Sequence, residues 1–111
     1  MVSISIRARN DLVRYFDGLL KWSVKTKGGY VENHLSREHA KQLSDNILEE
    51  CLAVDSRIVH FKTRYETHKK YGNYVHTYSP SNHRTKIYII YNMDIIGNCT
   101  IKKITTNYKT I

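Results

Sequence analysis

Three stretches in the second half of the chain, GNYVHTYS at 72–79, KIYIIYNMD at 86–94 and NCTIKKITT at 98–106, carry strand signals over strand-like lengths. Turn formers separate them, SPSNHRT between the first two and IIGN between the last two. Connections this short leave no room for a crossover helix, so the strands must run antiparallel as a meander. Such a sheet has an apolar face to hide, and the preceding residues must cover it.

Those residues read as one strand and two helices. Val2, Ile4 and Ile6 alternate with Ser3, Ser5 and Arg7, the period of a short half-buried strand. Asn10 or Asp11 can cap a first helix, whose apolar face is Leu12, Tyr15, Phe16, Leu19 and Leu20 and which ends near Val24. Gly28 and Gly29 then break the pattern inside a cationic loop, Lys25 to Tyr30, read as a connection or as a flap over a ligand. Ser36 is the expected cap of a second helix with Glu38 in its first turn, facing inward through Ala40, Leu43, Ile47, Cys51 and Val54. Lys41, Asp45 and Glu49 lie off that stripe. From Ser56 to Tyr71 no period stands out. The expected fold is α+β, two helices packed on an antiparallel sheet of about four strands, with the first strand at the edge or in the middle. One domain spans residues 1–111, long enough to bury roughly two thirds of its unfolded surface.

The net charge of +8 is confined to one part of the chain. Residues 1–55 hold eight Lys/Arg and eight Asp/Glu, whereas 56–111 hold ten Lys/Arg against only Glu66 and Asp94, with four of the six His and seven of the nine Tyr. A cationic surface interleaved with aromatic rings suits a polyanion with unpaired bases, RNA above all. A solvated basic face is the plainer reading. Cys51 and Cys99 form no CxxC pair, and His34 and His39 miss the one-turn offset of a helical metal pair, so no metal or other cofactor is expected. Both thiols fall on apolar stripes, as buried cysteines of a reducing compartment do. No apolar run resembles a secretory signal or a membrane span, and a cytoplasmic protein is expected.

Metal-free RNA cleavage needs a group to take the 2′-OH proton, cations for the phosphate and a donor for the leaving oxygen. His76 shares a strand face with Tyr74 and Tyr78, and Lys86, Tyr88, Ile90 and Asn92 form the alternate set on the next strand; together they read as an open face away from the helices. His76 is a general acid or base there, or simply an exposed histidine. His83 and Arg84, in the loop between those strands, can clamp a phosphate. Glu66 is the lone carboxylate among Arg64, Lys69 and Lys70 and reads as their local neutraliser.

The order of elements resembles the RelE/ParE superfamily of bacterial type II toxins. ISIRARNDLVRYF is similar to the family's opening strand and helix, and KIYIIYNMD, a turn and IKKITTNYKT are similar to its last hairpin. The resemblance implies a toxin neutralised by an antitoxin encoded beside it. It also implies one of two activities: RelE-like members cut mRNA in the ribosomal A site without metal, and ParE-like members inhibit DNA gyrase without catalytic residues. Asn107 and Tyr108 fall where the ribonucleases place their terminal polar-aromatic pair, so the resemblance makes Tyr108 a stacking or proton-donating residue. Glu66 resembles the acidic base some members carry. Where those enzymes often have a strand arginine this chain has Tyr88, and that departure puts the usual mechanism in doubt. A ribosome-associated mRNA endoribonuclease is the favoured expectation, with a gyrase inhibitor or a stand-alone nucleic-acid-binding module as alternatives.

Overall fold

The computed structural model describes residues 1–25, 37–79 and 86–106. β1 (Val2–Ile4) leads directly into α1 (Ile6–Lys25). α2 (Arg37–Leu52) is followed by a 3-10 turn at Val54–Ser56. β2 (Phe61–Lys62), the short helix α3 (Glu66–Lys69), β3 (Tyr74–Tyr78), β4 (Ile87–Met93) and β5 (Cys99–Thr106) complete the order. The fold is α+β. Its described sheet has five strands in the order β1-β5-β4-β3-β2, one more than expected because the patternless stretch after Ser56 contributes β2.

β1 lies at the edge and pairs with β5 in parallel, Val2 opposite Cys99 and Ile4 opposite Ile101, so the sheet is mixed. The other three pairings are antiparallel. The β4–β5 hairpin turns through Gly97, whose φ of 95° is strained for a residue with a side chain. The Asp94 carboxylate ties that turn by accepting from the N–H groups of Ile96 and Asn98 at 3.1 and 2.9 Å.

The opening helix starts earlier than its sequence suggests. Ser5 Oγ accepts the Ala8 N–H at 3.1 Å, an N-cap bond that ends the strand and turns Ile6, 78% exposed, into a first-turn residue. Asn10 and Asp11 therefore lie inside α1 and do not cap it. Buried Asp11 instead serves the sheet. β1 stops at Ile4, which leaves the next stretch of β5 without a strand partner. The Asp11 carboxylate takes the Ile104 N–H at 3.0 Å and Lys103 Nζ at 2.9 Å, closing that gap from the helix.

The core lies between the helices and one face of the sheet. Ile87, Ile89 and Tyr91 of β4, Cys99, Ile101 and Ile104 of β5, and Ala8, Ile47, Cys51 and Val54 from the helical side pack together there. Each fully buried isoleucine adds roughly 2 kcal/mol of hydrophobic stabilisation. Ala40, Ile47, Cys51 and Val54 of the expected second stripe are buried, while Lys41, Asp45 and Glu49 are exposed. Both thiols are buried and unpaired, and burial pushes Cys51 up to about 12. The expected Ser36 cap and the Gly28–Gly29 break lie outside the described residues. No described helix is long and apolar enough to cross a membrane.

The opposite face of the sheet is also covered, by residues 63–72. Thr63 Oγ1 donates to the Gly72 carbonyl at 3.1 Å, and a Cβ on Gly72 would stand 2.9 Å from the Tyr91 carbonyl oxygen and 3.0 Å from Ile90 Cγ2. Only glycine lets the segment lie this close, and Ile90 is fully buried as a result. His68 is buried between Tyr65 and Tyr88, with ring centroids 5.2 and 4.9 Å away.

Asp11→Ala is expected to cost about 3 kcal/mol, because Lys103 and a backbone N–H lose their acceptor together. A urea titration reads that loss, and Asp11→Asn, which keeps an acceptor, costs less. Burial lowers the His68 pKa from its ordinary 6.5. The native state then holds His68 neutral while the unfolded chain gains a proton below 6.5, so its contribution is intact above 6.5 and is lost as the pH falls toward the native value. From about pH 7.5 to about pH 5 the urea midpoint of His68→Phe should fall less than that of the wild type.

Candidate functional site

Register decides which side chains meet. In β3, Tyr74, His76 and Tyr78 stand opposite Tyr91, Ile89 and Ile87, which belong to the core face. Val75 and Thr77 stand opposite Ile90 and Tyr88. The expected open face, with Tyr74, His76 and Tyr78 beside Tyr88, Ile90 and Asn92, therefore does not exist. The two sets lie on opposite sides of the sheet, and it is the β3 set that turns toward the helices.

That placement delivers His76 to α2. Glu50 sits in the last turns of α2, and the 3-10 turn after it reverses the chain and ends on Arg57 in an extended conformation. Glu50 Oε1 lies 3.0 Å from Arg57 Nη2 and 2.9 Å from His76 Nε2, and Arg57 Nη2 lies 2.7 Å from the same His76 nitrogen. The His76 side chain is only 13% exposed. One nitrogen cannot serve both neighbours at once. Unprotonated, Nε2 accepts from the guanidinium; protonated, it donates to the carboxylate. Two arrangements of one proton are thus built into a single contact.

A second pair stands near the first. His60 Nδ1 is 2.6 Å from the Tyr91 hydroxyl, and Tyr74 stacks on Tyr91 with centroids 5.6 Å apart. Burial pushes Tyr91 up to about 12, with Cys99 adding and Arg57 opposing, so the phenol keeps its proton at neutral pH. An open cleft of about 600 Å³ runs past both pairs, lined by Arg57, Ile58, Phe61, Val75, His76 and Tyr91. Phe61 and Val75 come from one face of the sheet and His76 and Tyr91 from the other, so the cleft opens around the edge. Ile58, Val59 and Phe61 form an exposed apolar rim. A proton acceptor, a cation and a phenol facing one cavity are suited to acid–base chemistry on an anionic substrate.

No protein-family model, curated protein or solved structure matches this chain.

The other sequence-derived residues are scattered. Tyr74 and Tyr78 pack against the core. Tyr88 is half-buried against His68 on the far face, and Lys86 is exposed just before β4. Glu66 is exposed and pairs with Lys69 at 3.4 Å, as a local neutraliser would. His83, Arg84, Asn107 and Tyr108 lie outside the described residues. Sequence reasoning misses Glu50, Arg57 and His60. Glu50 follows Ile47 by three positions, beside the helix stripe, whereas Arg57 and His60 fall in the stretch without a period. Among the described residues, no three His, Cys, Asp or Glu side chains converge as a metal site requires.

Single substitutions separate the two proton arrangements. In the neutral imidazole, Arg57→Ala should leave His76 Nε2 protonated and donating to Glu50, and Glu50→Ala should leave it bare and accepting from Arg57. Long-range nitrogen–proton NMR spectra distinguish the tautomers, and identical ring patterns in both variants would contradict the shared contact.

Proposed function

We propose that this chain is the toxin of a toxin–antitoxin pair, a metal-independent endoribonuclease that cuts mRNA at the ribosome and works in the cytoplasm. The observation that carries the reading is the convergence of Glu50, Arg57 and His76 within 3.0 Å of one another, with Arg57 and His76 on the wall of a cleft open to solvent. The resemblance to RelE/ParE toxins supplies the biological setting, and the basic half of the chain supplies attraction for RNA.

In the proposed reaction Arg57 first releases His76 Nε2, and the bare nitrogen takes the proton of a ribose 2′-OH. The freed oxygen attacks the adjacent phosphorus, and the bond from phosphorus to the 5′-oxygen breaks. Arg57 swings its guanidinium to the charge growing on the phosphoryl oxygens. Glu50 then receives the Nε2–H that His76 has gained and holds the imidazolium in place. The departing 5′-oxygen takes a proton from water in the open cleft, while the buried Tyr91 hydroxyl stays bound to His60 and holds that wall in place. The products are a 2′,3′-cyclic phosphate and a free 5′-hydroxyl. An antitoxin of net acidic charge suits the basic half of the chain.

A second reading has its own support. Glu50, Arg57 and His76 satisfy one another, so they can act purely as a tether between α2 and β3 in a ParE-like, non-catalytic inhibitor of DNA gyrase. Induced expression separates the two. The ribonuclease should halt protein synthesis and leave cut mRNA, and His76→Ala should lower cleavage by about a hundredfold or more in a chain that still folds. Glu50→Gln and Tyr108→Phe should each relieve growth arrest in part. If His76→Ala and Tyr108→Phe stay fully toxic while cells form DNA-damage filaments, the ribonuclease reading fails.

A further inference from the structure

The sheet face turned away from the helices carries a feature that the cleft chemistry does not use. Tyr71 follows α3 and is half-buried, and three cations surround its ring: Arg7 of α1 at 5.2 Å from the centroid, Lys70 at 5.2 Å and Lys103 of β5 at 5.5 Å. These residues come from three distant parts of the sequence. Lys103 is accounted for by its 2.9 Å contact with Asp11. Arg7 and Lys70 are exposed, and among the described residues no carboxylate lies within ion-pair distance of either. Two uncompensated charges held at one ring repel each other, and the quadrupole of a single tyrosine offsets little of that at an exposed site. An anion between them relieves the repulsion.

An aromatic row adjoins this cluster. The Tyr71 N–H donates to the His68 carbonyl at 3.0 Å, which sets the Tyr71 backbone one turn from the Tyr65–His68–Tyr88 stack. Tyr65 is exposed, and Phe61, also exposed, shares this sheet face through its pairing with Val75 and Ile90. His68 Nδ1 is buried with no hydrogen-bond partner among the described residues. Since burial keeps that imidazole neutral near physiological pH, the row offers ring faces without added charge, beside a concentrated pair of cations.

We propose that this face is a second RNA subsite, in which an unpaired base stacks on Tyr71 or its aromatic neighbours and the flanking phosphates are held by Arg7 and Lys70. Alternating ring faces and cations match single-stranded nucleic acid, whose bases are free to stack and whose phosphates recur along the strand. A duplex hides its bases and gains only the charge. Because Phe61 and Val75 belong to this face and also line the cleft, a strand laid here can pass around the β2 edge toward His76. The choice of RNA over other single strands rests on the proposed function.

The test titrates fluorescein-labelled oligouridine into the full chain and follows anisotropy between about 50 and 200 mM salt. Tyr71→Ala should weaken binding by about tenfold or more, and Tyr71→Phe, which keeps the ring, should bind like the wild type. Arg7→Ala combined with Lys70→Ala should weaken binding and flatten the logarithmic salt slope by about 1.4, the loss of two phosphate contacts on a single strand. Should Tyr71→Ala fail to fold, the exposed Arg7 and Lys70 decide alone. Unchanged affinity and slope in a folded Arg7/Lys70 double variant overturn the subsite. A wild-type chain that binds oligouridine through Tyr71 yet never cuts RNA sinks the cleavage reading and leaves the subsite standing.

Discussion

Everything in this fold is arranged around one strand that has buried residues on both of its faces. Ile87, Ile89, Ile90 and Tyr91 of β4 are buried although neighbouring side chains of a strand point to opposite sides. The chain must therefore cover the sheet twice. The helices α1 and α2 do so on one side, and residues 63–72 on the other, where Gly72 gives a backbone approach that a methyl group would obstruct. With both sides of β4 committed, its pairing with β3 has little freedom, because a slip of one residue would exchange the buried and half-buried sets. That register is what carries His76 to Glu50 and sends Tyr88 to the far face.

The elements were legible where the signals are local. The three strand signals at 72–79, 86–94 and 98–106 contain β3, β4 and β5, since apolar runs bounded by turn formers act over a few residues. The buried stripe of α2 was legible for the same reason. The start of α1 was not. Val2, Ile4 and Ile6 continue a strand period past the point at which Ser5 caps a helix, and one capping hydrogen bond overrides the third member of that alternation. Asp11 resembled a cap and instead completes a sheet edge more than ninety residues away in the chain.

The site was less legible than the fold because its geometry is a product of long-range pairing. Tyr74, His76 and Tyr78 have the composition of a wet face, yet they pair with core residues of β4. The adjacent Ile89 and Ile90 were the available warning, for two consecutive isoleucines in a strand put one on each side and ask for two covers. Glu50, Arg57 and His76 meet only after α2 docks, the 3-10 turn reverses the chain and β3 finds its register. The period of α2 places Glu50 beside the buried stripe but cannot name its partners.

The parallel pairing of β1 with β5 also has a consequence for how the molecule comes into being. Val2 meets Cys99 and Ile4 meets Ile101, so the first strand has no neighbour in the sheet until nearly a hundred residues have been synthesised. Closing so long a loop costs entropy before any contact repays it, and folds rich in such pairings reach the native state slowly. In the interval Val2 and Ile4 have nothing of the sheet to bury against. The cap at Ser5, which needs only the residues just after it, lets α1 begin to form while its strand is still waiting.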